Sequence, residues 1–316
     1  MSSSSISVVV STVDGRNSLE VCLGSIAGNS VPPLEVLVMH QGSDGGTAEA
    51  ARKVARATSV EFNYIRLRTT GLTKSRNAAI SAARGDTMAF TDDDCIAGAD
   101  WLKALSRGLA DPRVSCVCGR TEPANQTHRP RSTLLSTFKV ERRQLIRGRH
   151  NPVTIGRGNN MAFRRQVLLD LGGFNEQIGC GATMEAGDDM DMFCRLLDSG
   201  GAILHAPDAL VLHAQPNDWA NALMKKRGYA LSTSAILADR AVRGDLYAGA
   251  LLLGKFAYEF IYLLCGGAAR MNPRVAAVGW HSLVGAVSGL GYLRYRPFRE
   301  ESRRLAALAR SRGRGP

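Results

Sequence analysis

Along the first 118 residues, short apolar or β-branched runs alternate with stretches whose apolar positions recur at helical spacing. ISVVVS (6–11), LEVLVMH (34–40), VEFNYIRL (60–67), TMAFT (87–91) and VSCVC (114–118) predict strands, and residues 17–27, 47–57, 73–83 and 100–110 predict the helices between them. That alternation implies an α/β fold with a mainly parallel sheet and helices on both faces. Ligands of such sheets bind beyond the carboxyl ends of the strands, which gives the segment after Thr91 functional weight.

Beyond Gly119 the pattern loosens. Residues 121–133 read as loop, and 134–147 predict an amphipathic helix with several basic side chains. GRGNNMAFRRQVLLDLGGF (156–174) predicts a turn, a short strand and a short helix stopped by Gly172-Gly173. A further helix starts near Asp188 and ends at DSGG (198–201), and two strands, 202–206 and 209–214, follow on either side of Pro207-Asp208. From Trp219 the chain reads as mostly helical. Leu246–Ala269 is an apolar run of 24 residues interrupted by Lys255 and Glu259, which are spaced to pair on one helix face. Val275–Leu293 is a second, of 19 residues, containing His281. Each is long enough to span a bilayer, but neither is a clean span.

Composition refines this picture. The 316 residues, 45% of them hydrophobic, can supply one large core with an appendage. The formal charge of +12 is unevenly placed, because residues 215–316 hold sixteen Lys and Arg against six Asp and Glu. A catalytic domain over 1–214 and a basic, apolar helical region over 215–316 are therefore expected, the latter facing an anionic membrane surface rather than nucleic acid. The seven cysteines are scattered without CxxC spacing, which excludes a disulfide framework or a zinc site as the organising principle. MSSSSISVVVSTVDG lacks the basic start and long apolar core of a signal peptide, so the catalytic part is expected on the cytoplasmic face of the cell membrane.

The chemistry concentrates in acidic clusters. In FTDDDC (90–95), Asp92 and Asp94 point one way and Asp93 the other if the strand continues, giving hard oxygen ligands for Mg²⁺ or Mn²⁺. The alternative is an acidic turn with one capping carboxylate. In GDDMDMFCRLLDSGG (187–201), Asp188 and Asp189 fall at a helix start, where they serve either as dipole-stabilised acids or as a general base. His205 and His213 follow short apolar strands, as structural histidines or as ligands. Lys74 and Arg76 in GLTKSRNAAI sit in a first helical turn, as a solvated basic end or as partners for a diphosphate. Asn159-Asn160 are turn residues or acceptor-contacting amides.

SVVVSTVDGR, GLTKSRNAAISAARGDTMAFTDDDC, GNNMAFRR, LGGF, GDDMDMFCRLLDSGG and LVLHA, in that order over residues 6–214, resemble the family 2 inverting glycosyltransferases of GT-A fold, of bacterial cell-surface or exopolysaccharide type. The resemblance implies transfer of a sugar from a UDP-, dTDP- or GDP-sugar to a glycan or lipid-linked acceptor. It implies that Asp92 and Asp93 approach the ribose and diphosphate, that Asp94 holds the metal with His213, and that Asp189 is the base, with Asp188 beside it. Thr12 and Asp14 match the base-side loop and Arg76 the nucleotide-contacting arginine; Asn159 and Asn160 would face the acceptor. His40-Gln41 departs from the family's usual acid pair, leaving Gln41 to meet the nucleobase, and the Gln-x-x-Arg-Trp motif of processive synthases is absent, which favours addition of a single sugar.

Two other classes compete. A sugar-nucleotide pyrophosphorylase would want a glycine-rich phosphate loop after the first strand, and VVVSTVDGRN has no GxGxxG. A non-catalytic membrane adaptor of the same fold explains the basic tail but not the full set of acids.

Overall fold

The computed structural model describes residues 5–13, 16–43, 46–124, 137–214, 219–269 and 271–312. The first half alternates strand and helix as its hydrophobic pattern requires: β1 (Ile6–Thr12), α1 (Arg16–Ala27), β2 (Glu35–His40), α2 (Thr47–Arg56), β3 (Phe62–Arg66), α3 (Leu72–Ala82) and β4 (Thr87–Asp92). Then come β5 (Cys95–Ala97), α4 (Trp101–Leu109), β6 (Cys116–Pro123), β7 (Gln144–Arg147), β8 (Met161–Arg164), α5 (Arg165–Asp170), α6 (Asp188–Asp198) and β9 (Ala202–His213).

All nine strands join one mixed sheet in the order β3-β2-β1-β4-β8-β6-β9-β5, with β7 also paired to β9. β1 to β4 run parallel, β8 is antiparallel to both β4 and β6, and β6 is parallel to β9. Because side chains alternate faces along a strand, Val8 and Val10 pack on one side with Leu19, Leu23 and Trp101, whereas Val9, Met88 and Phe90 pack on the other with Ile80, Phe193 and Leu196. Burying each such side chain contributes roughly 1.5–3 kcal/mol, so the two cores hold the strand ends in fixed register.

Two expectations are corrected. The described part of 134–147 contains no helix; Gln144–Arg147 is a strand whose Ile146 is buried opposite Ile203 of β9. Pro207-Asp208 does not split β9 either. The pairing passes from Gly119↔Ala206 to Arg120↔Leu210, so residues 207–209 bulge while the strand continues. A Cβ at Gly119 would stand 2.2 Å from the Ala209 carbonyl, which is why the facing position carries no side chain.

The remaining chain is helical: α7 (Trp219–Val242), α8 (Leu246–Ala257) continuing through a π-helical segment (Tyr258–Cys265) into α9 (Gly266–Ala269), then α10 (Pro273–Gly291) and α11 (Arg296–Arg312). Asp245 and Asn272 cap α8 and α10 by accepting from Ala248 and Val275 amides. No helix among the described residues is long and apolar enough to cross a membrane. α11 returns to the sheet layers: Ala309 joins the core beside α6, Ser302 hydrogen-bonds Asn175, and Phe298 packs with Ile178, Met190 and Ile236.

Candidate active site

β1 and β4 are parallel neighbours with Ser11 opposite Asp92, so both end at the same edge of the sheet. Thr12 there donates to Asp93 at 2.5 Å. The chain then turns at Asp93-Asp94 and re-enters the sheet as β5, whose Cys95 lies opposite His213 in antiparallel register. Three residues of pairing thus bring the end of β9 to the acidic triplet. His213 Nε2 lies 3.2 Å from Asp94 Oδ2, and the Ala214 amide donates to the Asp94 carbonyl.

Asp92, Asp94, Cys95 and His213 each offer a donor atom, and these atoms all lie within 4.8 Å of one another. Two carboxylates and an imidazole fit a divalent ion with oxygen and nitrogen preference. Cys95 is less suited, because burial pushes its thiol far above the ordinary range and keeps it protonated. Electrostatics agree with a cation site. Burial raises the pKa of Asp92 and Asp93, neighbouring carboxylates (Asp94 and Asp189 for Asp92, Asp94 and Asp92 for Asp93) raise it further, and Arg76 (for Asp92) and Thr12 (for Asp93) oppose this incompletely. Burial lowers the pKa of His213, but its hydrogen bond to Asp94 and the charges of Asp94 and Asp92 outweigh that and raise it.

Across the cleft, α6 begins after Gly187, whose φ of 92° is the left-handed conformation a glycine adopts readily. Asp188 and Asp189 occupy its first turn in different surroundings. Asp188 is buried in an ion pair with Arg76, and burial, reinforced by repulsion from Asp189, outweighs that pair and pushes it up to about 6. Asp189 is half-buried and accepts from the Gly158 amide at 2.9 Å and the Met190 amide at 2.8 Å. Gly158 also accepts from Arg76 Nη2 at 2.8 Å, and the same nitrogen is 3.6 Å from Asp92. Arg76 and Gly158 therefore link the Asp92–Asp94–His213 cluster to Asp189 by a continuous chain of contacts.

The polar residues singled out in the sequence do not all face the cleft. Arg76 is 2% exposed and lies over the rings of Phe90 and Phe174, so its guanidinium is directed at Asp188, Gly158 and Asp92 and not at solvent. Gln41 spends its amide on both the carbonyl and the N–H of Gly71, fixing the turn that leads into α3. Asn160 is fully buried, accepts from Trp101 Nε1 and donates to the Arg120 and Ala209 carbonyls, which removes it from the acceptor set. Asn159 is also buried and accepts from Thr121. Lys74 is exposed in the first turn of α3. Asp14 lies outside the described residues. His205 is structural: it contacts the Ile155 carbonyl at 2.7 Å, and burial lowers its pKa.

Gly158 and His40 were missed by reading the sequence. His40 is buried between Tyr64 and the Val13 carbonyl, pinning the segment after β1 from beneath. The glycine run of GRGNN was the available signal for Gly158, since a Cβ there would press within 3.2 Å of the Arg76 guanidinium.

A family model described as glycosyl transferase family 2 matches residues 7–172. The pre-mycofactocin glycosyltransferase of Mycobacterium tuberculosis is 27% identical over 215 residues, which cover 66% of this chain and 43% of that protein. The chain thus matches less than half the length of that relative. Among solved structures, a mannosyltransferase from Pyrobaculum calidifontis in complex with GDP-Man and Mn²⁺ superimposes with a TM-score of 0.59 at 21% identity, over 98% of this chain and 86% of that one. Residues 1–349 of S. aureus TarS in complex with UDP give 0.51 at 16% identity, over 92% and 91%. At these identities the structural likeness establishes a shared fold, the GT-A arrangement expected from the sequence.

Proposed function

Because the chain belongs to glycosyl transferase family 2, we propose that it is a glycosyltransferase that moves a single sugar from a nucleotide-sugar donor to an acceptor hydroxyl, with inversion and with Mn²⁺ or Mg²⁺. One observation carries this reading: donor atoms of Asp92, Asp94 and His213 converge within 4.8 Å at the strand ends, and Asp189 is tied to them through Gly158 and Arg76.

Asp92, Asp94 and His213 would hold the ion, which when bound neutralises the diphosphate as the glycosidic bond breaks. Thr12 and Asp93 form the ribose side of the cleft. Asp189 takes the proton of the acceptor hydroxyl. The acceptor oxygen bonds to the anomeric carbon on the face opposite the diphosphate, which departs with the electron pair of the broken C–O bond. Asp188 serves as a positioning residue, since its partner is Arg76.

A nucleoside diphosphate donor is supported by the GDP-Man and UDP in the two structural neighbours. The base stays open among UDP-, dTDP- and GDP-sugars, because Gln41 is committed to Gly71. The basic surplus in 215–316 supports a place at the cytoplasmic face of an anionic membrane and hence a lipid-linked or cell-envelope glycan acceptor. The test is to incubate purified protein with a panel of nucleotide sugars and Mn²⁺ and follow hydrolysis and product anomer by NMR. One donor should be consumed with inversion. Retention, or no consumption of any donor, would overturn the proposal.

A further inference from the structure

The hairpin formed by α8, the π-helical segment, α9 and α10 turns the charges of Lys255 and Glu259 inward. Glu259 is 2% exposed, pairs with Lys255 one turn earlier, and accepts from the Ser282 hydroxyl of α10 at 2.7 Å. The outer face is the reverse. Leu253 is 72% and Ile261 65% exposed, Leu246 and Phe260 extend the same surface, and Trp280 and Val287 do so on α10. Every exposed residue from Leu246 to Ile261 is uncharged. A helix facing water carries its polar residues outside and its apolar stripe inside, so this arrangement matches an apolar solvent.

Charge around the patch selects the occupant. Within residues 219–312 the acids are already matched: Asp239 by Arg243, Asp245 by Arg240, Glu259 by Lys255, Glu300 by Arg296 and Glu301 by Arg304. Arg274, in the first turn of α10, and Arg294, three residues beyond its end, are exposed and add to a net positive surface. That surface repels a second copy of itself and attracts anionic headgroups.

We propose that the hairpin inserts its outer face into the acyl-chain region of an anionic bilayer, lying in the membrane surface with the Lys255–Glu259–Ser282 cluster sealed inside. It does not cross, in keeping with the absence, among the described residues, of a helix long and apolar enough to do so. The inference rests on the membrane reading above and deepens it from attraction by charge to insertion by a defined face.

The test uses the full chain and vesicles of phosphatidylcholine mixed with phosphatidylglycerol, with bromine-labelled acyl chains as quencher. The protein should float with the vesicles, stay bound at high salt, and show quenched tryptophan emission that disappears in Trp280→Phe. Leu253→Glu combined with Ile261→Glu should lower partitioning by about tenfold or more. The same double variant should hydrolyse donor at the wild-type rate in a vesicle-free assay, which certifies its fold and keeps this test separate from the catalytic one. Release by salt without quenching would leave surface attraction standing and overturn insertion. A vesicle-free dimer that the double variant converts to monomer would also overturn it, making the face a subunit interface.

Discussion

Arg76, in the first turn of α3, is ion-paired with Asp188, in the first turn of α6, and both side chains are buried. The pair joins two helix starts that come from sequence positions more than a hundred residues apart. Removing Arg76 leaves the buried Asp188 carboxylate without its guanidinium partner. Arg76→Ala should therefore lower unfolding free energy by about 3–5 kcal/mol, and Arg76→Lys should recover only part of it because an ammonium lacks the planar fork. Urea unfolding of the three proteins checks this.

The division of labour at the start of α6 predicts asymmetric kinetics. Asp189→Asn keeps the shape but cannot take a proton, so turnover should fall by about 10²–10⁴ with donor affinity little changed. Asp188→Asn should be milder in turnover. If the large loss follows Asp188→Asn instead, the base has been assigned to the wrong carboxylate.

Asp188 also sets a pH dependence. Its folded pKa is raised to about 6, chiefly by burial, against an unfolded value of about 3.9. Between those values the folded state binds more protons than the unfolded one, so stability is fully present at the acid end and declines as pH rises. Thermal unfolding across about pH 4–6 should show this decline, and Asp188→Asn should flatten it. Asp92 and Asp93, raised in the same direction, will leave a residual slope.

The cluster around Asp94 predicts metal behaviour. Asp94→Ala should abolish Mn²⁺ binding by calorimetry, and His213→Ala should weaken it by about 10–100-fold while the fold persists. Unchanged affinity in both would remove these residues from the ligand set.

How much of this was legible beforehand follows from the kind of signal each feature carries. β1 to β4 and their helices were readable because two-sided burial imposes apolar runs between helical periods. Gln144–Arg147 was expected to be helical because exposed Gln144, Leu145 and Arg147 hide the single buried contact, Ile146, that makes it a strand. β5 is only three residues long and escapes any periodicity, yet it is the element that carries Asp94 to His213. The acids themselves were visible as clusters. Whether a polar side chain faces cleft or interior was not: Arg76, Gln41 and Asn160 are turned to partners distant in sequence, which no local pattern reveals.

The central claim is that Asp92, Asp94 and His213 form a metal-dependent sugar-transfer site. It is tested most directly by the rate of nucleoside diphosphate release from the preferred donor with Mn²⁺, after EDTA, and after Mn²⁺ is restored. Activity should vanish with EDTA, return with the metal, and be absent throughout in Asp94→Ala. Full transfer in EDTA, or an active Asp94→Ala protein, would contradict the account.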